Sequence, residues 1–196
     1  MIKVQDLTFF DDKIKKIESE MEKYQVIPDA GFYNTLIKVF VEHGIDEKRI
    51  LEIAEKMEKD EEIGMDSISY TMLMQLYGKK GELKSSMIIF EKMIEKSLVD
   101  LHAYNTIMHI CLESKSMMDK MMAFEIYKYL EKDYRFSEDK RTFDILFRVA
   151  EITGKNEWCI YLLEKILKLS SDTEGRTDPL KIDLPLLISA ARVSHK

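Results

Sequence analysis

Apolar residues recur along this chain at helical spacing, in short stripes that return behind an aromatic leader. Tyr33, Leu36, Ile37, Phe40 and Val41 fall at i, i+3, i+4, i+7 and i+8, which places them on one face of an α-helix. Tyr70, Leu73, Met74 and Tyr77 repeat the pattern, as do Tyr104, Ile107, Met108, Cys111 and Leu112, and then Phe143, Leu146, Phe147 and Ala150. The leading aromatics are 37, 34 and 39 residues apart. A second stripe follows each first one: Ile50, Ile53, Ala54 and Met57; Leu83, Met87, Phe90, Met93 and Ile94; Met118, Met122, Ile126, Tyr127 and Leu130; Trp158, Tyr161, Leu162 and Ile166. Within these, Ala54, Phe90, Tyr127 and Leu163 keep steps of 36, 37 and 36. Two independent marks hold one phase, in the period range of helical hairpin repeats.

Punctuation agrees with the stripes. Gly44, Gly81 and Gly154 each stand eleven residues after their aromatic, where a helix end in the left-handed conformation favours Gly; the third repeat has Lys115 instead. Asp29, Asp66, Asp100 and Asp139 precede the four aromatic-led helices and suit the N-cap position. The chain therefore divides into a half-repeat or cap helix over 1–29, with Ile14, Ile17 and Met21 inward and Pro28 as a stop, and four hairpins at 30–66, 67–100, 101–139 and 140–183. The polar stretch 170–183 is a linker, and a short capping helix is expected within 184–196. One hairpin is too small to bury its own stripe, so neighbours must stack. The expected fold is all-α: an α-solenoid of stacked helical hairpins, with the first helix of each pair lining a concave face.

Composition changes little in that picture and excludes several others. With 45% apolar and 34% charged residues the chain is foldable and strongly helical, and no apolar run reaches the ~18 residues of a membrane span. Cys111 and Cys159 sit on apolar helical faces and read as buried, reduced thiols. Thirteen Met, including Met117, Met118, Met121 and Met122, read as flexible core filler rather than a soft-metal site. The net charge is −6, and the segments 1–60, 61–139 and 140–196 carry balances of −4, −4 and +2. Only the last leans basic, which argues against tight nucleic-acid binding by charge alone. The first twenty residues hold Asp6, Asp11, Asp12, Glu18 and Glu20, unlike an acid-poor transit peptide.

Taken together, Tyr33-Asn34-Thr35-Leu36-Ile37 with its echo Tyr104-Asn105-Thr106-Ile107-Met108, the Gly eleven residues on, Phe90-Glu91-Lys92-Met93 in a second helix, and the closing Asp make the chain resemble the pentatricopeptide repeat family over about residues 7–183. The related tetratricopeptide pattern wants an early Trp, whereas Trp158 stands in a second helix. The resemblance implies single-stranded RNA binding in mitochondria or chloroplasts, one base per repeat. It also implies base-reading pairs formed by the residue after the aromatic and the last residue of the repeat: Asn34 with Asp66, Thr71 with Asp100, and Asn105 with Asp139, for uracil, guanine and uracil. The family's flanking position, three residues before the reader, is ordinarily aliphatic; here it holds Gly31, Ile68, His102 and Arg141, of which Ile68 alone conforms. The fourth repeat places Asp144 at the reading position. Each Asp is equally suited to being an N-cap alone, so both roles stand open.

No catalytic chemistry is legible. His43, His102, His109 and His195 have no zinc spacing, and no CxxC, HExxH, phosphate loop or nucleophile motif occurs, so no catalytic residue, metal or cofactor is expected. The leading expectation is a non-catalytic, mitochondrial RNA-associated protein that binds single-stranded RNA on the first-helix face through Asn34, Asp66, Ile68, Thr71, Asp100, His102, Asn105 and Asp139. Its partners would be RNA or a ribonucleoprotein, within a larger RNA-processing, translation or mitochondrial ribosome complex. The alternative is a protein-interaction solenoid serving as an accessory subunit without RNA reading, favoured by the acidic balance.

Overall fold

Each aromatic-led stripe needs a second helix to cover it, and the chain supplies these in alternation. The computed structural model describes residues 4–43 and 47–171, and among them every regular element is an α-helix. These are α1 (Val4–Lys23), α2 (Ala30–His43), α3 (Glu47–Lys59), α4 (Ser67–Lys79), α5 (Leu83–Glu95), α6 (Leu101–Glu113), α7 (Met117–Lys132), α8 (Lys140–Thr153) and α9 (Asn156–Ser171). Gly44, the linker beyond Ser171 and the expected capping helix at 184–196 lie outside the described residues.

The chain forms two compact units, one up to Leu76 and one from Tyr77. In the first, α2 packs on α3, burying Tyr33, Ile37, Phe40 and Val41 against Ile50, Ala54 and Met57. Ile14 of α1 and Tyr70, Leu73 and Met74 of α4 are buried as well. In the second unit α6 is the hub, packing on α5, α7 and α8, with α9 on α8. Eight of the thirteen α6 residues are buried, from Ala103 to Leu112, among them the polar Asn105 and Thr106, so this helix is covered over most of its circumference. Each fully buried Phe, Leu or Ile contributes about 1.5–3 kcal/mol, and Phe143, Phe147, Ile107 and Leu146 are all at 1% exposure or less.

Four residues expected inward are exposed: Ile17, Ile94, Met118 and Tyr161. For Met118 the cause is local. The buried face of α7 runs through Ala123, Phe124, Ile126, Tyr127 and Leu130, and Met118 lies in the first turn ahead of it, 76% exposed. Tyr161 is drawn outward by polar partners. Its hydroxyl donates to Glu131, which also pairs with Lys165 at 2.7 Å, while Lys165 reaches Glu138 at 3.3 Å and Tyr127 donates to Glu138 at 3.1 Å. This cluster, with Trp158 stacked on Phe124 at 4.2 Å, ties α9 to the end of α7.

The helix ends follow the glycine punctuation where it is described. Gly81 and Gly154 have φ of +77° and +67°, and Lys155 N–H donates to Ala150 O at 3.0 Å beyond Gly154. In the third hairpin, which lacks Gly, α6 ends on Ser114 in an extended conformation, its hydroxyl donating to Asp119 at 2.7 Å. Among the described residues, two left-handed positions are not glycine: Gln25 (φ 54°) after α1 and Ser97 (φ 57°) after α5. Both are held by returning bonds, Val26 N–H to Met21 O and Leu98 N–H to Met93 O, each 2.8 Å.

A non-glycine residue in this region costs about 1 kcal/mol. Ser97→Gly is therefore expected to raise the urea midpoint, by up to about 1 kcal/mol of stability, and an unchanged or lower midpoint would refute the account. Gly78→Ala is expected to do the opposite, because an added Cβ would meet Ile110 side-chain atoms at 2.6 and 2.8 Å.

Candidate nucleic-acid interface

The first N–H groups of a helix have no partner within it, and this chain meets that need with aspartate. Asp29 accepts from Phe32 N–H at 2.8 Å, Asp66 from Ser69 N–H at 2.8 Å, Asp100 from Ala103 N–H at 2.7 Å and Asp139 from Thr142 N–H at 2.8 Å. At α8 this is a full capping box, with Asp139 N–H donating back to the Thr142 hydroxyl. All four aspartates thus act as caps, the role that sequence left open beside base reading.

Two of these caps also hold a carboxamide from the preceding repeat. Asn34 Nδ2 donates to Asp66 at 3.0 and 3.2 Å, and Asn105 Nδ2 donates to Asp139 at 3.1 Å. The carbonyl ends are held as well. Ser69 Oγ donates to Asn34 Oδ1 at 2.6 Å, and Thr142 Oγ1 to Asn105 Oδ1 at 2.8 Å. Each hydroxyl also lies near its own Asp carboxylate, 2.8 and 2.9 Å away, but has one proton, and in both repeats the shorter contact is to the asparagine. The network fixes which end of each amide points where.

Asn34, Thr71 and Asn105 are nevertheless buried, at 7%, 3% and 2% exposure. Thr71 carries no carboxamide, and its hydroxyl has no hydrogen-bond partner. The expected flanking residues are the accessible ones. Ile68 is 56% exposed, while His102 and Arg141 are exposed and touch, Arg141 Nη1 lying 3.4 Å from His102 Nδ1. One turn pair along, Arg148 reaches Glu113 at 3.5 Å and His109 reaches it at 3.9 Å. Burial pushes the His109 imidazole below its usual range, the Arg141 and Arg148 charges push it further the same way, and Glu113 opposes them.

The structure therefore brings together Asn34 with Asp66 and Asn105 with Asp139, while Ile68 and His102 stand apart on the accessible surface. Sequence reasoning missed Ser69 and Thr142. Their signal was present, since Asp-x-x-Ser and Asp-x-x-Thr have capping-box spacing at 66–69 and 139–142. Asp144 is exposed at the reading position of the fourth repeat. Among the described residues no group of His, Cys, Asp and Glu could hold a metal ion, and no helix is long and apolar enough to cross a membrane. Burial pushes the Cys111 thiol up to about 12, leaving it unreactive near neutrality.

A family model for the pentatricopeptide repeat domain matches residues 16–61 and 59–114, about half of the chain. The chain belongs to the pentatricopeptide repeat family. Its fold class is accordingly the all-α helical repeat of the solenoid type. Among solved structures it is similar to the pentatricopeptide repeat protein PPR10 from maize, with a TM-score of 0.54 and 18% identity, over 94% of this chain and 26% of that one. The chain thus spans about a quarter of that protein's length. No curated protein matches it in sequence.

Within this family member the asparagines are structural as well as candidate readers. Asn105→Ala removes two buried hydrogen bonds and leaves Thr142 and Asp139 to find others, so stability is expected to fall by about 1–3 kcal/mol, with Asn34→Ala similar. Urea unfolding followed by circular dichroism checks this, and an unchanged midpoint would show that the networks contribute nothing.

Proposed function

We propose that this chain is a non-catalytic, single-stranded RNA-binding protein of the mitochondrion, working inside a larger RNA-processing, translation or ribosomal complex. Family membership supports RNA binding as the activity. The observation that carries the reading in this chain is the accessible side chain three places ahead of three of the four reading positions: Ile68 ahead of Thr71 offers an apolar face to a base, His102 ahead of Asn105 offers stacking and Arg141 ahead of Asp144 offers charge, while Gly31 ahead of Asn34 offers no side chain. Asn34, Thr71 and Asn105, with Asp66, Asp100 and Asp139, are the groups that would meet base edges. The acidic balance of the chain makes the affinity low and salt-sensitive.

A second reading, an accessory solenoid that holds a protein partner, is favoured by the burial of Asn34, Thr71 and Asn105 and by the same acidic balance. The two differ in what His102 and Arg141 do.

Fluorescence anisotropy with a UGU-containing RNA and a scrambled control at 50 and 200 mM salt separates them. Binding at low salt is expected, weakened several-fold by His102→Ala with Arg141→Ala, two exposed changes that leave the buried networks intact. Neither oligonucleotide binding at 50 mM would sink the RNA reading and leave the protein-partner one.

A further inference from the structure

The second helix of a hairpin has one side that meets whatever hairpin comes next. By the 36-residue step between Tyr127 and Leu163, the α7 residues Phe124, Tyr127 and Glu131 correspond to Ile160, Leu163 and Leu167 of α9. In α7 all three meet the next hairpin. Phe124 stacks on Trp158 at 4.2 Å, the Tyr127 hydroxyl donates to Glu138 at 3.1 Å, and Glu131 pairs with Lys165 at 2.7 Å. On α9 the same places form an apolar stripe at i, i+3 and i+7, with Ile160 56% and Leu167 62% exposed and Leu163 half-buried. An apolar stripe at a stacking position gains by being covered.

A segment of matching character follows in the sequence. Leu184, Leu187, Ile188 and Ala191 fall at i, i+3, i+4 and i+7, the spacing of the aromatic-led stripes, and Leu186, Ala190 and Val193 make a second row beside them. A helix of this pattern is apolar almost all round, apart from Ser189 and Arg192, and needs cover on more than one side. Its phase is that of the array: Asp183 precedes Leu187 by four residues, as Asp139 precedes Phe143, and Arg192-Val193 follow Leu187 at the offset that Arg148-Val149 keep from Phe143. Pro185 falls in the first turn, where the missing N–H costs a helix nothing. The 12 residues from 172 to 183 can span up to about 40 Å, and α9, of 16 residues, is about 24 Å long. The tether can therefore reach any point of the stripe.

We infer that residues 184–193 make the first helix of a fifth, incomplete hairpin and dock on the Ile160, Leu163 and Leu167 stripe of α9. The stripe is then occupied by the chain's own segment, and this end of the second unit is closed to a second copy or to a helix from another protein. Closure of this end does not depend on whether RNA is bound.

Hydrogen exchange of the full chain followed by mass spectrometry, with light scattering on the same samples, tests the docking. Amides of 184–193 are expected to exchange at least about tenfold more slowly than in a free peptide of the same sequence, and equally so on dilution. Ile160→Glu with Leu167→Glu, two changes at exposed positions, is expected to return them to the free-peptide rate while α8 and α9 keep their protection. Leu187→Glu, made on the other partner, is expected to do the same. Free-peptide exchange in the native chain, or slow exchange that survives the double change, would overturn the docking. Protection lost on dilution as a dimer dissociates would overturn it in favour of a second copy on the stripe.

Discussion

Everything in this chain is built on the need to satisfy polar groups at the start of each aromatic-led helix. An α-helix cannot be stacked against neighbours on both sides while its first N–H groups go without partners. One aspartate per repeat meets that need, at Asp29, Asp66, Asp100 and Asp139, and each also marks where one hairpin stops and the next begins. The carboxylate so placed is a strong acceptor at a repeat junction. In two of the junctions the preceding helix uses it, through Asn34 and Asn105. Capping, stacking and the candidate site are consequences of one side chain.

The electrostatic setting follows the same economy. Several charged groups in the second unit pair with one another: Lys165 between Glu131 and Glu138, Arg148 against Glu113, Arg135 against Asp133 at 2.6 Å. Most are partly exposed, and pairs of that kind contribute little to stability individually. Each such pair removes a positive charge from a chain that is already acidic. On the proposed RNA-binding reading, contact with a polyanion would rest on a few side chains such as His102 and Arg141, and on stacking at Ile68.

Hairpin order, the helical class and the aromatic core were legible because a 3.6-residue apolar period, repeated with one phase, is compatible with few folds besides a helical array. Tyr33, Tyr70, Tyr104 and Phe143 are all buried, as their position demands. What sequence could not supply was the state of Asn34 and Asn105. A carboxamide beside an aromatic reads equally well as a groove-facing reader or as a buried strut, and only the third partner decides. That partner, Ser69 or Thr142, lies about one period away, beyond the window in which spacing rules operate. Tyr161 was misplaced for a similar reason: its apolar ring argued inward, while Glu131 on another helix held its hydroxyl outward. Long-range polar pairing overrides local pattern in each case.

The matching of asparagine with a hydroxyl one repeat later has a consequence for how such arrays grow. If repeats duplicated or were exchanged as units cut at the aspartate, an asparagine would be inherited without the Ser or Thr that completes it. The heritable module is instead offset, running from the reader of one hairpin to the residue before the next aromatic. Grafting experiments that respect visible hairpin boundaries would then shuffle broken halves of each junction, whereas cuts placed just before Tyr70 or Phe143 would carry asparagine, aspartate and hydroxyl across together.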